Sequence, residues 1–201
     1  MAKLQTICVY CGSGPGRNPA FVAAARNFGR ILAENGIRLV YGGGSVGLMG
    51  ALATAVLDHG GTVTGIIPEF LTARELALTR VQELIVTRDL HERKRLMFER
   101  ADAFVALPGG IGTLEELVEQ LTWTQLGRHR KPILIANIES FWDPLCKLLD
   151  HMRDLDFIRA GLTISLLTVK TVEEILPRLT EAMRALPEAD KEMTAAEIER
   201  L

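Results

Sequence analysis

The glycine-rich stretch in the middle of the chain limits the possible folds more than any other feature. It runs Leu107-Pro108-Gly109-Gly110-Ile111-Gly112-Thr113-Leu114-Glu115-Glu116. The short apolar run at 103–107 that leads into it is typical of a buried parallel strand. After it, apolar residues recur at helical spacing, at Leu114, Leu117, Val118 and Leu121. The glycines are therefore predicted to turn a strand into a helix.

The same stretch is predicted to bind a phosphate. Three glycines in four residues leave backbone amides bare, and a helix N-terminus directly after them favours an anion. Pro108 stiffens the exit of the strand, and Thr113 is expected to cap the helix while offering its hydroxyl to the same anion. We expect residues 109–113 to form this site.

Two interpretations of Glu116 follow from its place in the helix. Thr113-x-x-Glu116 fits a capping box, in which Glu116 reaches back to the amide of Thr113. Alternatively, Glu116 is a functional carboxylate close to the bound phosphate. On a helical wheel it lies opposite the apolar stripe, beside Gln120 and Trp123. The sequence leaves both interpretations open.

Composition excludes several classes of protein. With 201 residues, 48% of them hydrophobic, the chain suits one α/β domain with a substantial core. A net charge of −2 provides no overall field to recruit nucleic acid or an anionic membrane. We find neither a signal-peptide core nor a bilayer-length apolar stretch, and three cysteines make no disulfide framework. We expect a cytoplasmic protein, with a catalytic domain over 1–186 and a polar tail over 187–201.

Two further glycine-rich loops follow the first two predicted strands, at 4–10 and 37–41. The first loop offers bare amides and the hydroxyl of Ser13; the second contains G-x-G-x-x-G at Gly42, Gly44 and Gly47. With Glu69 placed as a ribose-binding acid would be, this motif makes a nicotinamide enzyme a real alternative. However, the motif follows the second strand, and another phosphate loop follows at Gly109. Two such loops on one sheet more easily enclose one mononucleotide.

A predicted helix carries cations towards the same region. Asp89 is a plausible N-cap, with Glu92 completing a capping box. Three cations, Arg93 to Arg95, come early in this helix, where the helix dipole disfavours positive charge. The helix precedes the 103–107 strand, so its start can face the sheet edge that holds the glycine loop. Arg93 and Met97 share a face.

The remaining chemistry-bearing residues have simpler interpretations. Cys8 and Cys11 are expected to be small buried side chains, because no second ligand pair exists for a metal. His59, His129 and His151 have no metal-like spacing and are interpreted as surface or loop residues. The pair Arg74 and Glu75 falls in a predicted irregular segment over 68–79. Later predictions include a strand or edge segment at 81–86, a helix over 141–152 with Trp142 and Leu145 in the core, and a closing helix capped by Thr171.

Several motifs together resemble one enzyme family. They are Cys11-Gly12-Ser13, the run from Tyr41 to Gly50, His91-Glu92-Arg93-Lys94, Pro108 to Glu116, Leu121-Thr122-Trp123, Gln125-Leu126-Gly127 and Lys131-Pro132. This combination is similar to the cytokinin-activating phosphoribohydrolases, the Lonely Guy family long mislabelled as lysine decarboxylases. The resemblance runs from Ile7 to about Val169. It implies an α/β protein of a single Rossmann-like domain, with a mostly parallel sheet flanked by helices on both faces.

The resemblance also implies an activity. Such enzymes are homodimers that hydrolyse the N-glycosidic bond of adenine-type nucleoside 5′-monophosphates, such as AMP or N6-isopentenyl-AMP, and need no metal or other cofactor. The implied catalytic residues are Arg93 and Glu116. The residues expected to bind substrate are Ser13, Gly43, Gly44, Met49, Glu75, Lys94, Met97, Gly109, Gly110, Ile111, Gly112, Thr113, Leu114, Glu115 and Thr122. No nucleic-acid or membrane partner is expected.

Alternatives from other classes remain. A non-catalytic nucleotide carrier, like the molybdenum-cofactor carriers of the same superfamily, would keep the glycine loops without needing both Arg93 and Glu116. A decarboxylase would need a Schiff-base lysine and a site for pyridoxal phosphate. A nicotinamide-dependent oxidoreductase would bind the dinucleotide at the second glycine loop.

Overall fold

The computed structural model describes residues 4–72, 77–158 and 166–185, and within these ranges a seven-stranded parallel sheet forms the centre of the protein. The strands are β1 (Thr6–Tyr10), β2 (Arg38–Tyr41), β3 (Val63–Pro68), β4 (Glu83–Thr87), β5 (Ala103–Ala106), β6 (Ile133–Ala136) and β7 (Leu166–Val169). Their order across the sheet is β4-β3-β2-β1-β5-β6-β7. The prediction of a mostly parallel sheet is confirmed.

Seven α-helices lie in the described ranges. They are α1 (Pro19–Glu34), α2 (Gly47–Asp58), α3 (Glu69–Thr72), α4 (Leu90–Glu99), α5 (Ile111–Gln125), α6 (Asp143–Asp154) and α7 (Ile175–Ala185). The predicted helix over 141–152 thus begins two residues later, after the buried Trp142. Thr171 does not cap α7. Its hydroxyl faces Glu174, and a short 3₁₀ turn, Val172–Glu174, precedes the helix.

The sheet separates two apolar cores, because successive side chains of a strand point to opposite faces. Ile7 and Val9 of β1 pack into the core beneath α1, α2 and α7. Cys8 and Tyr10 of the same strand pack into the core beneath α4 and α5. Cys8 and Cys11 are both buried, as predicted. Helices therefore cover both faces of the sheet, as expected.

The strand order fixes where a ligand can enter. From β1 the chain proceeds outward to β2, β3 and β4, and then returns to place β5 on the other side of β1. At such a reversal, the loops after the two strands diverge and leave a crevice at their carboxyl ends. The predicted edge segment is confirmed as β4, at the sheet boundary. None of the helices in the described ranges combines the length and apolarity needed to cross a bilayer.

Candidate active site

Three glycine-rich loops meet at the carboxyl end of β1. The amide of Gly12, after β1, donates to the carbonyl of Pro108, after β5 (3.1 Å). The carbonyl of Gly12 accepts from the amide of Leu48, at the start of α2 (3.0 Å). The main chain thus ties the loops after β1, β2 and β5 into one unit beside the crevice. The two loops predicted to lie on one sheet, after β2 and β5, are brought together at this edge, and the loop after β1 is bonded to both sides.

Gly47 shows why this junction requires glycine. Its φ of 62° lies in the left-handed region, and a side chain there would overlap the carbonyl of Ser13. A residue with a Cβ would have to push the two loops apart. Gly47, the last glycine of the G-x-G-x-x-G motif, therefore serves close loop packing here.

The start of α5 is open to solvent, and no side chain caps its amides. Gly110 is its N-cap residue and makes no side-chain capping bond, so the amides at 111–113 have no acceptor within the helix. A Cβ placed on Gly110 or Gly112 would meet nothing within 4 Å, and Ile111 is 82% exposed. This uncovered helix N-terminus has both the donors and the room for an anion.

The prediction that Thr113 caps this helix is wrong. Gly110 takes the cap position instead, because glycine also suits an N-cap, and the helix begins at Ile111. Thr113 is the third helical residue, buried, with its side chain against the Cα of Gly109. With Thr113 inside the helix, the capping-box interpretation of Glu116 fails as well.

Glu116 instead forms a buried ion pair across the α4–α5 interface. Its Oε1 lies 2.7 Å from Nη1 of Arg93, and the two side chains are only 8% and 11% exposed. A charge this far from water is costly unless it is paired. The pair therefore holds a carboxylate in a fixed position near the start of α5.

Arg93 contacts three neighbouring parts of the fold, which are β3, the loop after β2 and α5. Its Nε donates to the carbonyl of Ile66 in β3 (3.1 Å). Its Nη2 lies against Gly42, where a Cβ would come within 2.5 Å of it and 2.9 Å of Met49 Sδ. The planar guanidinium thus connects β3, the loop after β2 and α5, a geometry that lysine could not reproduce.

The cap of α4 places this arginine. Asp89 accepts a hydrogen bond from the amide of Glu92 (2.8 Å), confirming the predicted N-cap. This bond to the backbone lowers the pKa of Asp89. Glu92 reaches back to the amide of Arg88 rather than that of Asp89, so the capping box is shifted by one residue.

The structure brings some predicted binding residues to the crevice but not all. Ser13, Gly43, Gly44, Met49 and the 109–115 segment lie on the three loops or the first turns of the helices after them. Met97 is fully buried in the core. Thr122 lies about 16 Å further along α5 than Ile111, and its hydroxyl donates to the Val118 carbonyl. Glu75 falls outside the described residues, as do Arg74 and the 187–201 tail.

Lys94 has partners that sequence analysis missed. Its Nζ donates to Oε1 of Glu115 (2.5 Å) and to Oε1 of Glu119 (2.9 Å). Glu119 was not among the predicted site residues. Its spacing of one helical turn from Glu115 was visible in the sequence, but the facing of α4 against α5 was not.

His129 is buried, so the prediction that it lies at the surface is wrong. It does lie in a loop, as the alternative prediction had it. It packs between the rings of Phe98 and Phe104 (5.1 and 5.7 Å), and its Nδ1 accepts from the Lys131 amide (3.1 Å). Burial, with the charge of Lys131, lowers the pKa of His129 to about 4. It is thus a neutral core residue on the chain that enters β6. His59 and His151 are exposed, as predicted.

Two buried ionisable groups near Glu116, Tyr10 and Cys8, are uncharged. Tyr10, at the end of β1, is buried beside Cys8. Burial raises the pKa of Tyr10 well above its usual value, and the nearby Cys8 and Glu116 raise it further. Burial likewise raises the pKa of Cys8. Both groups are therefore neutral, so neither adds a negative charge beside the Arg93–Glu116 pair.

Together these features define a Rossmann-like α/β protein with an exposed helix N-terminus after β5 and a buried arginine–carboxylate pair on the helices beside it. Comparison with known proteins gives the family. A family model described as "possible lysine decarboxylase" matches residues 49–179. A probable cytokinin riboside 5′-monophosphate phosphoribohydrolase of Oryza sativa subsp. japonica is 44% identical over 183 residues, 91% of this chain and 82% of that protein. The chain belongs to this phosphoribohydrolase family, to which the decarboxylase description is also attached.

A bacterial relative and a solved structure extend the comparison. The cytokinin riboside 5′-monophosphate phosphoribohydrolase of Rhodococcoides fascians is 45% identical over 170 residues, 84% of this chain and 86% of that protein. The molybdenum cofactor binding protein of Rippkaea orientalis aligns with a TM-score of 0.68 at 20% identity, covering 91% of this chain and 99% of that one. At that identity the likeness establishes a shared fold.

Proposed function

We propose that this protein hydrolyses the N-glycosidic bond of adenine-type nucleoside 5′-monophosphates, including N6-modified cytokinin nucleotides. The products are the free base and ribose 5-phosphate. The observation that carries the proposal is the buried Arg93–Glu116 pair, 2.7 Å across, close to an uncapped helix N-terminus. The relatives named as phosphoribohydrolases, 44% and 45% identical, support the same reaction.

The 5′-phosphate is proposed to bind at residues 109–113. The free amides at the start of α5 donate to the phosphate oxygens, and the helix dipole favours their charge. Ser13, Gly43, Gly44 and Met49, on the neighbouring loops and α2, complete the pocket. Anchoring the phosphate uses binding energy away from the reacting bond to position the sugar.

Glu116 is proposed to act on the sugar carbon that carries the base. Cleavage of a glycosidic bond passes through an oxocarbenium-like state, which a nearby carboxylate stabilises or supplies with an activated water. Arg93 balances the charge of Glu116 and fixes its orientation through contacts to Ile66 and Gly42.

The proposal is tested by offering the protein AMP, N6-isopentenyl-AMP, ATP and adenosine, and measuring free base by chromatography. We expect the monophosphates to be cleaved and adenosine to be slower by roughly two orders of magnitude or more, because only the phosphate anchors the sugar. Comparable turnover of adenosine and AMP would contradict the role of the 109–113 cradle.

We also propose a cytoplasmic homodimer. Besides the family resemblance, exposed apolar side chains on three helices support a subunit contact, namely Phe70 on α3, Leu90 on α4 and Val118 on α5, since apolar surface is often covered in protein contacts. Cys8, Cys11 and Cys146 form no disulfide, consistent with a reducing compartment. Light scattering at micromolar concentration should give twice the 22.1 kDa mass of one chain; a monomer mass would refute the dimer.

A further inference from the structure

Lys94 follows the proposed catalytic arginine but does not point to an open site. It is only 10% exposed, and its ammonium is held by Glu115 and Glu119 on α5. Burial alone would lower the pKa of Lys94, but the hydrogen bonds to these two carboxylates outweigh it and the net shift is upward. Lys94 is therefore a charged residue committed to the α4–α5 interface.

The charges at this interface are unequal in number. Helix α5 contributes three neighbouring carboxylates, Glu115, Glu116 and Glu119, whereas α4 contributes the cations Arg93 and Lys94. Lys94 contacts Glu115 and Glu119, whereas Arg93 contacts Glu116. The two adjacent cations thus have separate partners on the same helix.

We propose that Glu119 is a positioning residue of the active site, which holds Lys94 away from Glu116 so that Lys94 does not disturb the contact between Arg93 and Glu116. This inference rests on the proposed hydrolase function. It assigns Lys94 to the same network. Neither residue touches the reacting atoms, and both act through the geometry of the catalytic pair.

The burial of Glu119 supports a role for its charge. Its side chain is 20% exposed, against 53% for Glu115, which can turn into solvent. Its Oε2 is buried and lacks a hydrogen-bond partner among the residues the structure describes. Such an oxygen costs stability, and apolar residues usually replace buried ion pairs without loss. A purely structural contact would not require this carboxylate.

The proposal makes a distinctive prediction for three variants. Lys94→Met leaves Glu119 uncompensated and free to compete for Arg93, so kcat for AMP should fall by about tenfold with KM little changed. Glu119→Gln frees Lys94 to compete for Glu116 and should also lower kcat. The double variant removes both competitors, and its kcat should recover severalfold over that of Lys94→Met. Mutual rescue of this kind arises from charge balance and not from lost packing.

A matched control comes from the surface pair Arg30 and Glu34 on α1, which are 2.7 Å apart and 42% and 49% exposed. Arg30→Met, Glu34→Gln and their double variant should leave kcat unchanged. Thermal unfolding of every variant establishes that it is folded, and Lys94→Arg provides a conservative substitution that should retain most of the activity if Lys94→Met does not fold.

The other possible results of these experiments contradict either the inference about Glu119 or the proposed hydrolase function. A double variant no better than Lys94→Met overturns the inference while leaving the hydrolase function in place. A raised KM with unchanged kcat in Lys94→Met, and no effect of Glu119→Gln, assigns Lys94 to the substrate phosphate instead. Failure of the wild-type chain and the α1 controls to release base from AMP refutes the proposed function, and with it the inference.

Discussion

Replacing Glu116 with glutamine is expected to lower the turnover of AMP by roughly two orders of magnitude or more. Glutamine keeps the shape of the side chain and an oxygen that accepts from Arg93, but it removes the negative charge that an oxocarbenium-like state requires. The thermal midpoint should also fall, but by less than in Arg93→Ala, because the hydrogen bond across α4 and α5 survives while Arg93 loses its compensating charge. AMP should still bind, since its phosphate no longer has this anion as a neighbour.

The matched control is Glu99→Gln on α4, a partly exposed carboxylate 3.7 Å from Arg95. It removes the same charge from the neighbouring helix and should leave kcat unchanged. Steady-state kinetics and calorimetric binding of AMP separate chemistry from affinity. A Glu116→Gln protein that turns over AMP near the wild-type rate would mean that Glu116 is not the catalytic carboxylate.

Arg93→Ala is expected to lose a similar part of the turnover, and it should also destabilise the protein. Removing one partner of a buried pair leaves Glu116 uncompensated, at a cost of about 3–5 kcal/mol. Arg93→Lys should not restore activity, because an ammonium cannot contact both Ile66 and Glu116 as the guanidinium fork does.

The double variant Arg93→Ala/Glu116→Gln tests whether the pair acts as a unit. Its turnover should be little below that of either single variant. Its thermal midpoint should exceed that of Arg93→Ala, because the uncompensated charge has been removed. If the turnover of the double variant is instead lowered by the product of the two single losses, the two residues act independently.

The connection of β5 to α5 illustrates what the sequence reveals. A short apolar run, three glycines and a helical repeat are local signals, and each predicts its element without knowledge of the rest. Parallel strands carry their exit loops to one edge, so the meeting of the Gly12, Gly42 and Gly109 loops could also be predicted. The start of α4 was expected at that edge for the same reason, and Arg93 lies there.

The parts that failed depend on contacts between distant segments. Thr113 and Gly110 are both acceptable N-cap residues, and only the space around Gly110 shows where α5 begins. The burial of His129 requires Phe98 and Phe104, which lie far away in sequence. The Lys94–Glu119 bond requires the rotation of α4 against α5, which no local pattern encodes.

The fold alone does not identify the activity. The molybdenum cofactor binding protein of Rippkaea orientalis has the same fold at 20% identity, and one fold commonly carries unrelated functions. Two observations favour the hydrolase proposal. One is the buried Arg93–Glu116 ion pair, and the other is that the phosphoribohydrolase relatives are 44% and 45% identical to this chain, more than twice the identity of the cofactor binding protein. Arg93 and Glu116 therefore carry the functional argument.

The proposed hydrolysis is tested most directly by identifying the products formed from AMP and N6-isopentenyl-AMP. We predict that the purified protein releases free base and ribose 5-phosphate in equal amounts, and that Glu116→Gln slows the release of both by roughly two orders of magnitude or more. Release of inorganic phosphate with intact nucleoside, or no release of base from any monophosphate, would contradict the assignment of this site to glycosidic bond cleavage.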